Sequence, residues 1–221
     1  MSVVCQIKDY NVLKKKLDEM RKAPAAVMKN MMSDVRKRVP GWVAAEVAKE
    51  YGIKKKEVMP GTGKAGTVSV KGDNVQTAKI VYSGRVLTPS HFSMSPTAPK
   101  PDGGYTLKAT IIKGQRTTLG KVKKLTKKQR AELGKNFRRA GAQRSTHSPI
   151  MLMHTGNAKE GGANYIPFQR KSTDRKDVEA IKTLSLPQMV SSNRTSANIN
   201  KAINDGLGKR LDHYMQRHMG K

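Results

Sequence analysis

The sequence predicts an α+β fold: a helical N-terminal arm, an antiparallel β-layer with a basic insertion, and an amphipathic C-terminal helix. Three observations predict it. Apolar residues recur at helical spacing from Tyr10 to Tyr51 and again after Ser196, the period between them falls to two, and Gly, Pro and polar clusters punctuate the short β-branched runs. These features divide the chain into a helical arm at 1–59, a Gly-rich linker at 60–66 and an α+β domain at 67–221. The last holds a basic segment at 121–144 and a closing helix at 196–219.

The arm reads as three helical pieces. Val12, Leu13, Leu17 and Met20 share one face of the first, Val27, Met28, Met31 and Val35 one face of the second, and Val43, Val47 and Tyr51 one face of the third. Pro24 suits a first helical turn, where its missing N–H costs nothing, and Pro40-Gly41 predicts a break. The linker "PGTGKAG" imitates a phosphate-binding loop without meeting its requirements. Gly63-Lys64 would need Gly at 58 and a hydroxyl at 65, where the chain has Val58 and Ala65, and a helix precedes it instead of a strand.

Beyond the linker, Val68 and Val70 alternate with polar neighbours before a Gly-Asp-Asn turn, as Ile80 and Tyr82 do after it, which predicts a half-buried hairpin. "PSHFSMSPTAPKPDGGY", with four prolines, predicts an exposed loop, and "YTLKATIIKGQ" a further strand. "SPIMLMH", "NYIPFQRK" and "VEAIKTLSL" predict three more. Pro187 opens a short helical turn, and Ile199, Ile203, Leu207, Leu211 and Tyr214 then line one face of the terminal helix. Gly206 and Gly208 each weaken that helix by about 1 kcal/mol relative to Ala. It therefore needs packing partners, in the same chain or in a neighbouring one.

Charge bounds the function. The 221 residues carry 44 Lys and Arg against 16 Asp and Glu, a net +28, so the chain calls for a polyanion such as nucleic acid, a membrane surface or an acidic protein. Aliphatic and aromatic residues make up only 36%, which limits the core. The single Cys5 excludes a disulfide framework within one chain and suits a reducing cytoplasm. No run approaches the roughly 20 apolar residues of a membrane span, and the N-terminus is no secretory signal.

No catalytic or metal-binding constellation emerges. His91, His147, His154, His213, His218 and Cys5 lack the close pairing of a zinc site, and residues 61–145 hold only three acids, too few for a two-metal nuclease. We expect no enzyme and no cofactor. The candidate contacts with DNA or an acidic partner are Lys121, Lys123, Lys124, Lys127, Lys128, Arg130, Lys135, Arg138, Arg139 and Arg144, ten cations against Glu132 alone. Phe137 is the one aromatic among them, which argues against base stacking, and no sequence-reading motif accompanies them. The equally ordinary reading of such a run is a solvated surface. Ile199, Ile203, Leu207, Leu211 and Tyr214 are the candidates for packing between subunits.

Two stretches carry a family likeness. "VAAEVAKEYGIKKKEV" at 43–58, a helix ending at a Tyr before an Ile-Lys turn, resembles the minor tail protein Z family of tailed bacteriophages. So does the chain from about Ile166, with Phe168 and Arg170 in a strand, then "IKTLSLPQMV" and a closing helix ending "LGKRLDHYMQRHM". The Leu-Ser-Leu-Pro-Gln-Met segment is the most specific part, and about half the chain is covered by recognisable segments. The resemblance implies a structural virion protein acting at tail completion, at the neck where tail meets head. It further implies a homo-oligomeric, commonly sixfold, ring around the DNA channel. Tail-tube, tail-terminator or head-connector proteins would be its neighbours, and packaged DNA a ligand bound without sequence preference. Such a protein is made in the host cytoplasm and resides in the virion, with no membrane partner. The family supplies no catalytic residues. Beside this expectation stand a free, sequence-independent nucleic-acid-binding protein and, behind it, a nuclease or recombination accessory factor.

Overall fold

The computed structural model describes residues 2–6, 24–60, 65–75, 77–100, 104–122, 150–155, 164–170 and 177–219. They form helices and antiparallel sheets, the predicted α+β class. The chain divides into two compact units, unit 1 from residues 1–86 and 184–221 and unit 2 from 87–183. These boundaries are not those predicted. The helical arm shares a unit with the terminal helix, so residues 60–66 do not separate compact bodies, and 61–64 lie outside the described residues.

Unit 1 is built on two long helices, α1 (Pro24–Glu50) and, near the C-terminus, α4 (Ser196–Met219). Val27, Met31, Val35, Val39, Val43 and Val47 follow one another at intervals of four along α1, and all are buried. That stripe meets the face of α4 bearing Ile199, Ile203, Leu207, Leu211 and Tyr214, which are buried too. Burial of each such aliphatic side chain contributes about 1.5–3 kcal/mol, and this seam stabilises the unit. The partners required by α4 thus lie in the same chain. The predicted subunit-packing face is corrected accordingly: it is consumed internally.

Pro40 does not break the helix as expected, because α1 runs through it without interruption. A proline inside a helix removes one hydrogen bond and crowds the carbonyl four residues back, at a cost of about 3 kcal/mol. Here Pro40 is buried between Val39 and Val43, members of one continuous stripe, and a break would unseat the residues on one side of it. Packing overrides the local rule. The predicted helical piece around Val12, Leu13, Leu17 and Met20 lies outside the described residues.

A three-stranded antiparallel sheet completes unit 1, in the order β1 (Ser2–Gln6), β3 (Lys79–Ser83), β2 (Thr67–Lys71). The β2–β3 hairpin has the predicted alternation, with Val68 opposite Tyr82 and Val70 opposite Ile80. The strand β1 corrects the expectation of an all-helical arm. Helix α2 (Lys55–Val58) follows the Ile-Lys turn, and α3 (Leu186–Ser191) starts at a capping box. The Ser185 hydroxyl accepts from the Gln188 N–H, and the Gln188 side-chain oxygen accepts from the Ser185 N–H at 2.8 Å.

Gly206 and Gly208, alike in sequence, differ in setting. A methyl group at 206 would lie 2.5–2.8 Å from three ring atoms of Trp42, whereas one at 208 would meet nothing within 4 Å. Gly206→Ala is therefore expected to lower stability by about 1–2 kcal/mol, overpacking outweighing the helix-propensity gain, and to shift the emission of the single Trp42. Gly208→Ala is expected to raise stability by up to about 1 kcal/mol. Thermal unfolding of the two variants, followed by circular dichroism and fluorescence, checks the opposite signs.

Unit 2 holds a 3-10 turn (Pro89–His91) and two three-stranded antiparallel sheets. One runs β4 (Ser93–Ser95), β5 (Tyr105–Thr110), β6 (Thr117–Val122); the other β7 (Ile150–Thr155), β8 (Asn164–Arg170), β9 (Val178–Ala180). Met94, Leu107 and Ile150 form its core, joined by Leu119, Val122, Leu152 and Ile181. The proline-rich loop is thus only partly a loop: it contains β4, with Pro89, Phe92 and Met94 buried. Strands β5, β7, β8 and β9 fall where the sequence predicts them.

Candidate polyanion-facing surface

Of the predicted phosphate contacts, Lys121 stands exposed on β6, opposite Thr106 of β5. Lys123, Lys124, Lys127, Lys128, Arg130, Lys135, Arg138, Arg139 and Arg144 lie outside the described residues. The basic segment nevertheless does not monopolise the charge. Residues 87–183 carry 20 Lys and Arg against 6 acids, and unit 1 carries 24 against 10, so the two units share the net +28 equally.

Among the described acids of unit 1, Asp34 alone is withdrawn from the surface. Asp34 sits on the buried side of α1, its side chain 8% exposed, and three donors converge on it. Arg38 Nε donates to Oδ1 at 2.7 Å, while Arg210 Nε at 2.6 Å and the Tyr214 hydroxyl at 2.8 Å donate to Oδ2. Arg210 also donates to the Tyr214 hydroxyl at 2.8 Å, and its guanidinium lies 4.8 Å from the centre of that ring. Burial alone would raise the Asp34 carboxyl, but the hydrogen bonds from Arg210, Tyr214 and Arg38 hold it below the ordinary carboxylate value of 3.8. A carboxylate so saturated neither gives nor takes a proton near neutrality. It joins α1 to α4.

Glu46 accepts from Lys49 at 2.6 Å, one helical turn away. Meanwhile Lys29, Arg36 and Lys37 of α1, Lys54 and Lys55 at the start of α2, and Lys201, Lys209 and Arg217 of α4 project outward. In unit 2, Lys182 pairs with Glu179 at 2.6 Å, while Lys108, Lys113 and Arg116 are exposed.

A second polar cluster ties the end of α1 to the α3–α4 corner. The Tyr51 hydroxyl donates to Ser192 Oγ at 2.8 Å, Ser192 Oγ lies 3.0 Å from Thr195 Oγ1, and Thr195 donates to the Met189 carbonyl. Its groups satisfy one another and the backbone.

The described histidines do not converge. His154 packs edge-on against Tyr165 with ring centres 5.4 Å apart, His213 edge-on against Tyr214 at 5.5 Å, and His91 ends the 3-10 turn. Among the described residues no group of three metal-ligating side chains comes together, and no helix is long and apolar enough to cross a membrane. His147 lies outside the described residues, as do the side chains of Cys5 and His218.

Asp34 is the site residue that sequence reasoning missed. A signal was present: it stands three residues after Met31 and one before Val35, a lone acid within a buried stripe. Its partners Arg210 and Tyr214, 176 and 180 residues away, gave none. Searches of protein-family models, curated proteins and solved structures find no match to this chain.

Proposed function

We propose that this chain is a structural virion protein of a tailed phage, working at tail completion or the neck, as an oligomeric ring around the DNA channel. One observation carries the reading. The first stretch that resembles the minor tail protein Z family and the second from Leu184 onward meet in unit 1: Tyr51, where the first helix ends, hydrogen-bonds Ser192, just after the Leu-Ser-Leu-Pro-Gln-Met segment. Residues alike in sequence thus form one packed core, α1 against α3 and α4. The outward cations of that core suit a passage through which DNA runs. Because the apolar face of α4 is occupied internally, ring contacts fall to other surfaces.

Quantitative mass spectrometry of purified virions tests the proposal. A low, fixed copy number relative to the portal protein, consistent with one ring, is expected, and absence from intact particles overturns it. The even division of charge also favours a second reading, a free nucleic-acid-binding protein. Sedimentation at high salt separates the two, since a ring component assembles through specific contacts there and a free polyanion binder stays monomeric and loses its ligand.

A further inference from the structure

The end of the β2–β3 hairpin gathers cations in a way the fold itself does not require. Lys71 and Lys79 are directly opposite each other across the two strands, both exposed. Like charges in that relation repel and destabilise a sheet. Among the described residues neither has an ion-pair partner. Asp73, the one acid in the adjoining turn, is exposed and pairs with neither of them.

The arrangement is held firmly. Gly72 sits at φ +105°, where a Cβ would meet the Thr77 carbonyl at 2.5 Å, and Thr77 N–H donates to Asn74 Oδ1 at 2.9 Å to close the turn. Arg36, reaching across from α1, donates from Nη2 to the Gly72 carbonyl at 3.3 Å. A third cation is thereby fixed at the same end of the hairpin.

The sheet face that carries the two lysines continues as Thr67 opposite Ser83 and Ser69 opposite Val81. Lysine, arginine and small hydroxyls are the groups that contact phosphate and sugar, and no aromatic interrupts them for base stacking. Among the described side chains of β2 and β3, Val81 is the one apolar group on this face, beside Thr67, Ser69, Ser83 and the two lysines, a more polar surface than the buried centre of a protein interface.

We propose that Arg36, Lys71 and Lys79 form a phosphate-backbone contact for double-stranded DNA, made without reading sequence and separate from the basic segment at 121–144. This rests on the reading of the chain as DNA-facing and adds a surface of unit 1 to it. The repulsion between Lys71 and Lys79 is relieved when a phosphate lies between them.

Binding of the full chain to a 25-base-pair duplex of mixed sequence, measured by fluorescence anisotropy at several salt concentrations, tests this. Lys71→Thr with Lys79→Thr is expected to weaken binding several-fold at moderate salt. It should also make the slope of log K against log salt shallower by about two, near one for each phosphate that is no longer neutralised. Its melting temperature should equal or exceed that of the parent, since the repulsion is gone. Lys71→Arg with Lys79→Arg should keep the parental slope, and Lys201→Gln with Lys209→Gln, an equal reduction of charge on α4, should alter it much less.

A double Thr variant with the parental slope overturns the proposed surface and leaves the DNA-facing reading standing. A parent chain without salt-dependent duplex binding overturns both. A double Thr variant that no longer binds polyglutamate but binds the duplex as the parent does assigns the surface to binding an acidic peptide and overturns the DNA contact.

Discussion

Leu207→Ala is expected to destabilise unit 1 by about 2–5 kcal/mol and to leave its association state unchanged. Leu207 is 1% exposed at the centre of the α1–α4 seam, where truncation leaves a cavity walled by side chains of both helices. The loss combines transfer free energy with a void that close packing fills only in part. Denaturant unfolding monitored through Trp42 measures the first effect, and sedimentation at matched concentrations the second. Unaltered stability with altered assembly would return the α4 face to the role of a subunit interface.

Asp34→Asn is expected to cost about 2–4 kcal/mol at neutral pH. Removing one member of a buried ion pair costs about 3–5 kcal/mol, reduced here because the Arg210 side chain is 25% and the Arg38 side chain 52% exposed. The effect is pH-dependent with a definite sign. The folded-state pKa of Asp34 lies below its unfolded value near 3.8, so the unfolded chain takes up the proton first as the solution is acidified. The contribution is complete well above pH 3.8, declines below it, and is lost as pH falls through the folded value. The stability of the Asn variant should accordingly fall less steeply in acid than that of the parent. Denaturant midpoints between about pH 2.5 and 7 measure this. Parallel curves for the two proteins would show that Asp34 does not provide the linkage.

How far the sequence discloses this molecule depends on how local each signal is. Val68, Val70, Ile80 and Tyr82 alternate around a Gly turn a few residues long, so the hairpin and its register are legible. The face of α4 is legible too, since five residues at helical spacing specify it, but its occupant is not. Val27 and Leu207 lie far apart in the chain, and periodicity identifies an apolar face without naming what covers it. Strand β1 has only adjacent Val3 and Val4 to announce it and pairs with residues 79–83, a non-local partnership. Strand β4 is three residues long, with Met94 between two serines, and its prolines dominate any local reading. Strand β6 runs into the basic segment, where charge obscures the alternation. At Pro40 the local rule is sound chemistry overruled by the Val39 and Val43 packing on either side. The Asp34 cluster and the gathering of Arg36 with Lys71 and Lys79 are products of tertiary structure, and composition registers them only as charge.

The division of unit 1 between the two ends of the chain has a consequence for its birth on the ribosome. Helix α1 and the hairpin are made early, whereas α3 and α4, which close their core, begin only at Leu186 and Ser196. At about 5–20 residues per second, the valine stripe of α1 waits on the order of 10 s for its cover. Throughout that interval it is an uncovered apolar surface on a nascent, strongly cationic chain tethered beside ribosomal RNA. Unit 2, drawn from one uninterrupted segment, has its strands β4 to β9 complete before α4 emerges. The later-synthesised unit can therefore mature first, and the risk of misassembly falls on the half of the protein that was begun first.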